Sequence, residues 1–262
     1  TLGDNIKASA YKRAVVALSG GGGDDMVSLS DLEKVKGVGK SIYSKIVEFA
    51  ETGSIVYLNE LKQTPQLVFS QVYGIGPKMA KMLVEEHKLT TIDDLKENLA
   101  LFNEKQKLGI QYYHDIIKRI PRSEIAHFDS VLRGSIPNQL VYEIVGSYRR
   151  GAKDSGDIDV IISLNPGFLN DTDNEALFKS MTASKVAQYF QSVFKEYLQY
   201  LHEHQVITEF LSLGNKKSLV IGKVPSYTTY RRIDFLYTPP EEYGFALIYF
   251  TGSKDFNTAM RG

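Results

Sequence analysis

The chain contains no cysteine, and its 31 basic residues are balanced by 31 acidic ones. Without cysteine, disulfides, thiolate zinc sites and cysteine nucleophiles are excluded, and the composition is compatible with a reducing compartment. No apolar run approaches the roughly 20 residues that a membrane-spanning helix needs, so we expect no membrane association. Zero net charge argues against a strongly basic nucleic-acid binder, although it does not report where the charges lie.

The 262 residues suggest two domains, or one domain with subdomains. The pattern is helical as far as residue 120, with a glycine-rich break at residues 20–25 and helix starts predicted from Ser30 with Glu33 and from Thr91 with Asp94. After Pro121, strand-like segments such as DIDVIIS and RRIDFLY alternate with the helical segment ASKVAQYFQSVFKEYLQYL. This order predicts a mixed helix and sheet fold, α+β or α/β, behind an all-helical part.

Two short turns, KGVGKS and YGIGPK, share the form glycine, apolar residue, glycine, followed by a lysine and a helix. Glycine allows positive φ and close approach to a ligand, and the apolar residue would anchor the turn in the core. Two such copies favour a helix-hairpin-helix element, which grips a DNA backbone without reading its sequence, over a plain tight turn. The residues concerned are Gly37, Val38, Gly39, Lys40, Gly74, Ile75, Gly76 and Lys78.

Two aspartates, Asp157 and Asp159, lie one residue apart in an apolar run. In a strand they share one face, and their carboxylates can converge on one or two cations. Ligation by carboxylates alone indicates a hard ion such as Mg²⁺, and Asp234 in RRIDFLY supplies a third acid with apolar neighbours. The alternative for Asp157 and Asp159 alone is an exposed edge strand with solvated carboxylates.

A Gly-Ser pair stands upstream of these acids. Gly146 and Ser147, then nine residues, then Asp-Ile-Asp-Val make a nucleotidyltransferase signature, in which the turn can contact triphosphate oxygens. Arg149 and Arg150 lie beside the turn, and an arginine fork matches phosphate geometry.

The stretches GSYRRGAKDSGDIDVII, RRIDF and YFTGSKDFNTAMR, with KGVGKSIYSKI and VYGIGPKMA before them, resemble the family X DNA polymerases of the DNA polymerase beta type. The resemblance covers nearly the whole chain. It implies a template-directed polymerase that fills short gaps in DNA repair with two Mg²⁺ ions, for which Mn²⁺ can substitute, and a deoxynucleoside triphosphate. It also implies gapped or nicked duplex DNA as partner, a monomer, Na⁺ or K⁺ at the hairpin turns and, in a eukaryote, the nucleus.

By position, the resemblance makes Asp157, Asp159 and Asp234 the metal ligands, and Asp234 also the group that helps to take the primer hydroxyl's proton. Arg232 would lie near the primer terminus. The implied nucleotide contacts are Ser147, Arg150 and Gly156 for the triphosphate, Tyr249, Phe250 and Gly252 for the sugar, and Asn257 and Arg261 for the nascent base pair and template.

The N-terminal part resembles a deoxyribose-phosphate lyase domain. Lys45 matches the family's Schiff-base nucleophile, with Lys7 and Tyr11 as its phosphate-binding and supporting neighbours. On the helix, Lys45 flanks an apolar stripe that includes Ile42, Ile46 and Phe49, which predicts partial desolvation. Ser41 departs from the basic residue that family members with strong lyase activity often have there, and the alternative for Lys45 is a surface lysine.

The resemblance predicts four parts: residues 1–58 as the lyase-like domain with the first hairpin, 59–120 as the DNA-binding subdomain with the second, 121–238 as the nucleotidyltransferase palm, and 239–262 as the start of a nascent-base-pair subdomain. The family continues beyond the point that corresponds to Gly262, so this last subdomain is expected to be truncated in the sequence given. If the protein ends there, polymerisation is expected to be weak or absent. Two other functions stay open: a template-independent nucleotidyltransferase of the terminal-transferase type, and a non-catalytic module that binds DNA gaps.

Overall fold

The computed structural model describes residues 5–19, 28–169, 171, 174 and 178–261. The chain divides into two compact units, Thr1–Gln111 and Tyr112–Gly262. The predicted glycine-rich break at residues 20–25 lies outside the described residues. The predicted mixed helix and sheet fold is confirmed, and the four-part division stays a prediction.

The first unit is helical. Its helices are Asn5–Ser19, Leu29–Leu32, Lys40–Thr52, Val56–Lys62, Pro65–Ser70, Pro77–Glu85, Ile92–Glu97 and Glu104–Gln111, with a 3₁₀ turn at Leu99–Leu101. Its most deeply buried side chains, Phe69, Ala80, Leu83, Leu95 and Ile110, come from the later helices. The core of this unit therefore lies in its second half.

Two helix starts test the capping predictions. Thr91 and Asp94 form a capping box at the helix Ile92–Glu97, as predicted. The prediction for Ser30 is wrong, because the helix begins at Leu29 and Ser28 is its N-cap. The hydroxyl of Ser28 donates to the side chain of Asp31 at 2.6 Å, and this local bond fixes the start two residues earlier.

In the described part of the second unit, five strands form a mixed sheet in the order β2-β4-β7-β6-β5. The strands are β2 Leu140–Ile144, β4 Ile158–Leu164, β5 Ile207–Leu213, β6 Lys217–Gly222 and β7 Arg231–Tyr237. Strands β4 and β7 are parallel, and the other pairs are antiparallel. A separate pair joins β1 Ile120–Pro121 to β3 Asp154–Ser155.

One core cluster joins the sheet to the helices Arg122–Ser135 and Ala183–Glu203 through side chains such as Phe128, Phe194, Val160 and Phe235. Further helices in the described part of this unit are Tyr113–Ile116, Gly146–Arg149, Pro166–Leu169, Tyr243–Thr251 and Lys254–Met260, with a 3₁₀ turn at Pro240–Glu242. None of the helices in the described ranges is long and apolar enough to cross a membrane.

Candidate active site

The carboxylates lie on two adjacent strands. Strands β4 and β7 run parallel with Asp159 directly opposite Asp234 and Ile158 opposite Ile233. Because side chains alternate along a strand, the isoleucines enter the core and the aspartates share the other face. Asp157 lies one residue before β4. The structure thus brings the three predicted aspartates together from two distant segments.

Two basic side chains pair with these acids. Arg232 forms an ion pair with Asp157, and Lys217 on β6 lies with Nζ 3.2 Å from Asp234 Oδ2. Burial, followed by repulsion from Asp157 and Asp234, raises the pKa of Asp159 to about 6. Burial also raises the pKa of Asp234, against the opposing attraction of Arg232 and Lys217. The acids are therefore held close together although burial and mutual repulsion disfavour their charged forms.

The donor set suits a hard divalent cation. Asp234 Oδ1 is buried, lies 3.5 Å from Arg232 Nε and has no hydrogen-bond partner among the described residues. Within the same ranges, no three Asp, Glu or His side chains stand ready-made to hold a metal ion. Arg232 and Lys217 engage oxygens of Asp157 and Asp234 in ion pairs. A cation would replace these pairs and relieve the repulsion on Asp159.

The Gly146–Ser147 turn packs against the aspartates. Gly146 has φ 60°, and a Cβ atom built on it would collide with Asp159 Oδ2. Both the backbone conformation and the space thus require glycine there. Ser147 Oγ donates to Ser155 Oγ at 2.7 Å, and the Val145 amide donates to Asp159 O at 2.8 Å. These bonds tie the turn to β3 and β4.

A cleft of about 710 Å³ opens above this turn. Asp157 and Asp159 line it, and Asp234 lies beside Asp159 and Lys217 in a small adjoining recess. All eight residues that the sequence predicts as nucleotide contacts line the same cleft, namely Ser147, Arg150, Gly156, Tyr249, Phe250, Gly252, Asn257 and Arg261. The cleft therefore unites the acids with the predicted nucleotide contacts.

The far wall of the cleft is built by the helices Tyr243–Thr251 and Lys254–Met260. Arg150 donates to Thr251 O at 2.5 Å, which joins the Gly-Ser turn to this wall. Asn257 Nδ2 donates to Tyr249 O at 2.8 Å, and the Arg261 guanidinium lies 4.8 Å from the centre of the Tyr249 ring. The last two contacts hold the two helices of the wall together, and the Arg150 bond joins them to the turn.

Two residues at the site were missed by the sequence reasoning. Arg119 lines the cleft and donates from Nε to Asp154 Oδ1 at 2.8 Å. The signal for Arg119 was its place in the basic segment KRIPR, at the change from the helical pattern to the strand-like one. Lys217 opens the strand-like run KSLVIG, and only the pairing of β6 with β7 places it beside Asp234.

A second pocket, of about 740 Å³, lies in the first unit. It is lined by Lys45, by the predicted neighbours Lys7 and Tyr11, and by Ser41 and Tyr57. The Lys45 amine donates to Ser41 O and to Ser41 Oγ, each at 3.0 Å, and lies 5.7 Å from the centre of the Tyr57 ring. The structure thus gathers the predicted lyase residues around a partly buried lysine.

The two glycine turns have closely similar geometry. Gly37 and Gly74 have φ 107° and 82°, Val38 and Ile75 are buried, and the next helices begin at Lys40 and Pro77. The predicted anchoring of each turn by its apolar residue is thereby confirmed. Lys40 and Lys78 are exposed.

Only the surroundings of the turns differ. In the second turn, Gln106 Nε2 donates to Gly74 O at 2.9 Å, and Gly109 packs so closely on Tyr73 that a Cβ atom would collide with Tyr73 O. The helix after the second turn buries Ala80 and Leu83 completely. By contrast, the described helix Lys40–Thr52 has no fully buried residue, and Phe49 of its predicted apolar stripe is 57% exposed.

Comparison with known proteins gives two family matches. Residues 119–240 match the family model described as DNA polymerase beta palm, and residues 67–117 match the fingers domain of DNA polymerase lambda. The chain is also similar to DNA polymerase lambda of Rattus norvegicus, with 27% identity over 99% of the chain and 43% of the relative. Against DNA polymerase lambda of Arabidopsis thaliana the identity is 28%, over 99% of the chain and 48% of the relative. The chain therefore spans less than half the length of these two relatives.

Proposed function

Because this chain belongs to the family X DNA polymerases, we propose that it is a template-directed DNA polymerase that fills short gaps during DNA repair. The proposal is carried by the pairing of Asp159 with Asp234 across parallel strands, with Asp157 beside them at the cleft. Its substrates would be a deoxynucleoside triphosphate and gapped or nicked duplex DNA. We propose a monomer that acts in the nucleus if the source is eukaryotic.

Membership in a DNA polymerase family implies dependence on a divalent metal ion. We propose two Mg²⁺ ions, for which Mn²⁺ substitutes, held by carboxylate oxygens of Asp157, Asp159 and Asp234. When bound, such ions polarise the attacking and leaving oxygens of the displacement. Until then, Arg232 and Lys217 partly neutralise the acids.

The chain's own acid–base group for the primer would be Asp234. Burial raises the pKa of its carboxyl in the metal-free chain. Its position opposite Asp159 places it at the acidic face, where a primer 3′-hydroxyl would lose its proton. Arg232, which pairs with Asp157, would turn toward the primer terminus once the acids have another cation.

The incoming nucleotide would lie along the cleft. Ser147, Arg150 and Gly156, with Arg119, would bind the triphosphate through hydroxyl, backbone and guanidinium donors. On the far wall, Tyr249, Phe250 and Gly252 would contact the sugar and disfavour a 2′-hydroxyl. Asn257 and Arg261, which both contact Tyr249, would face the nascent base pair and the template.

The two glycine turns would bind the DNA backbone. Lys40 and Lys78 are exposed beside backbone amides at helix starts, an arrangement that suits phosphate contact without base readout. Backbone carbonyls of these turns would hold a monovalent cation, Na⁺ or K⁺. Such contacts position gapped DNA and leave sequence choice to the template.

A second activity, deoxyribose-phosphate lyase, is favoured by the pocket around Lys45. The lysine amine would form a Schiff base with the opened sugar at an incised abasic site. Lys7 and Tyr11 line the same pocket and would act as the phosphate-binding and supporting neighbours of Lys45. Borohydride trapping on such a site tests this activity separately from polymerisation.

The deciding experiment is single-nucleotide insertion into a 5′-phosphorylated one-nucleotide DNA gap with Mg²⁺, with wild type compared with Asp159→Ala. We expect insertion of the nucleotide complementary to the template base, and its loss in the variant. Insertion that ignores the template would favour a template-independent nucleotidyltransferase. Gap binding without insertion by the wild type would favour a binding module and overturn the proposal.

A further inference from the structure

An ion pair outside the cleft is almost completely buried. Glu124 and Arg231 have side-chain exposures of 2% and 6%. The pair is bidentate, with Arg231 Nε donating to Glu124 Oε1 at 2.8 Å and Nη2 donating to Oε2 at 2.7 Å. The third guanidinium nitrogen, Nη1, donates to Lys118 O at 3.2 Å. A buried ion pair is a weak source of stability, since apolar residues of similar volume often serve as well, but its geometry is specific.

Arg231 is the first residue of β7. Its side chain lies on the buried face of the sheet, while its neighbour Arg232 and then Asp234 lie on the face of the acids. A second bond holds the same point of the chain, because the Tyr230 amide donates to Asp115 Oδ2 at 3.2 Å. The start of β7 is thus fixed immediately before the two residues that meet the other aspartates.

Glu124 lies at the start of the helix Arg122–Ser135, directly after β1. Strand β1 pairs with β3, and the Arg122 amide donates to Lys153 O at 3.0 Å. Strand β3 ends two residues before Asp157. The short segment 118–124 is therefore bonded on one side to the chain that leads into Asp157 and on the other side to the chain that leads into Arg232.

The β4–β7 ladder does not itself connect Asp157 with Arg232. Strands β4 and β7 pair from Ile158 and Ile233 onward, so neither Asp157 nor Arg232 has a partner in that ladder. Strand β6 pairs with Arg231 and Arg232 and so holds the start of β7 in the sheet, but Asp157 lies outside both ladders of β7. The position of Asp157 relative to Arg232 therefore depends also on the contacts that the two chains make before the β4–β7 ladder begins. Segment 118–124, hereafter the bridging segment, is bonded to both.

We propose that Glu124 and Arg231 are positioning residues, which fix the start of β7 so that Arg232 and Asp234 meet Asp157 and Asp159 in the geometry that binds divalent cations. The inference rests on the proposed polymerase function. Glu124 and Arg231 touch neither the substrate nor the metal ions in this account. They act through the bridging segment and the first residues of β7.

The test replaces the pair by apolar residues of similar volume, in the double variant Glu124→Leu/Arg231→Met, so that no lone charge stays buried. A matched control is Arg133→Met, which removes an arginine from the exposed ion pair with Asp129 on the same helix. For each protein, Mn²⁺ affinity is measured by electron paramagnetic resonance, and kcat, gapped-DNA affinity and thermal melting are measured alongside. Arg231→Lys, which keeps the charge but loses the bidentate fork, serves as a second variant if the double variant does not fold.

We expect the double variant to melt cooperatively and to bind gapped DNA as the wild type does. Its kcat should fall about 10- to 100-fold, because an ångström of misplacement can lower a rate by about 100-fold. Mn²⁺ affinity should fall with it, and Arg231→Lys should lie between the double variant and the wild type. The control should match the wild type in all four measurements.

Wild-type kcat or wild-type Mn²⁺ affinity in a folded double variant, or in Arg231→Lys, would overturn the inference while leaving the polymerase proposal intact. If the wild type itself inserts no nucleotide, the proposed function fails, and the inference that rests on it fails as well.

Discussion

The acidic cleft and the Lys45 pocket are built in opposite ways. In the cleft, acids and bases from β4, β6 and β7 neutralise one another, and burial raises the pKa of Asp159 to about 6. In the pocket, a partly buried lysine donates to Ser41, one turn earlier on its own helix. The cleft depends on long-range strand pairing, whereas the Lys45 contacts are mostly local.

This difference indicates how each site would respond to mutation. A network of buried charges fails as a unit when one member is removed, because the partners are left uncompensated. Loss of a local contact should affect only the side chains next to it when the helix, like Lys40–Thr52, has no fully buried residue among those described. Mutations in the two sites should therefore separate two activities, with larger effects in the cleft.

The largest expected effect is on insertion. Asp234→Ala should lower single-nucleotide insertion about 1,000-fold or more, since metal-held charge stabilisation contributes several kcal/mol and each 1.36 kcal/mol is tenfold. Borohydride crosslinking should be unchanged in this variant. Insertion within tenfold of the wild type would contradict the proposed role of Asp234 and the contrast between the sites.

The second expected effect is on the stability of the cleft without metal. The Asp159 carboxyl has its pKa raised to about 6 from 3.8 in the folded chain, so the native state binds more protons than the unfolded state between these values. Stability should therefore fall as pH rises from about 4 to about 6, by about 3 kcal/mol from this residue. Asp159→Asn should remove this slope and raise stability at pH 7.

Urea unfolding in the presence of a chelator, at pH 4, 5, 6 and 7, measures this slope. Asp129→Asn is a suitable control, because Asp129 is an acid of the same unit that pairs with Arg133 and lies outside the cluster. An unchanged slope in Asp159→Asn would show that the acids are not strained in the metal-free chain.

The third expected effect concerns the Lys45 pocket. Lys45→Ala should reduce borohydride crosslinking to an incised abasic site about 100-fold, because a covalent step without its nucleophile loses most of its rate. Insertion should be retained. Lys62→Ala, at an exposed lysine of the next helix, Val56–Lys62, is the control. Equal crosslinking by Lys45→Ala and the wild type, or no crosslinking by the wild type, would refute the lyase proposal.

The smallest expected effect tests whether the pocket depends on single contacts. The Lys45 amine lies 5.7 Å from the centre of the Tyr57 ring, and such an attraction at a partly exposed site is about 0.5–1 kcal/mol. Tyr57→Leu should change crosslinking by no more than about two- to fivefold, and Tyr57→Phe, which keeps the ring, should match the wild type. A loss as large as that of Lys45→Ala would mean that the pocket, like the cleft, acts as a network.

Local patterns predicted much of this molecule. The alternation in DIDVIIS placed Asp157 and Asp159 opposite the core-facing isoleucines, and the Thr91–Asp94 capping box was read from spacing alone. The Ser30 prediction failed because Ser28 had an equally local partner in Asp31. The spacing of the residues does not show which of the two serines becomes the N-cap.

Contacts that depend on the pairing of distant strands could not be predicted from the sequence. Lys217 reaches Asp234 only through the register of β6 on β7, and Glu124 meets Arg231 only after the sheet has formed. Neither contact has a periodic signal, since register between distant strands depends on the whole core. The apolar stripe that includes Phe49 was predicted from periodicity, but periodicity does not say which neighbour covers it.

The parallel pairing of Asp159 with Asp234 also dictates when the cleft can exist. Strands β5 and β6 and the 21-residue helix Ala183–Glu203 lie between the two aspartates in sequence. During synthesis, Asp157 and Asp159 leave the ribosome long before β7. For that period their partners Asp234 and Arg232 are not yet present. Such a long-range parallel pairing closes late and slowly in folding. The nascent chain therefore has no complete acidic cleft until β7 has been made.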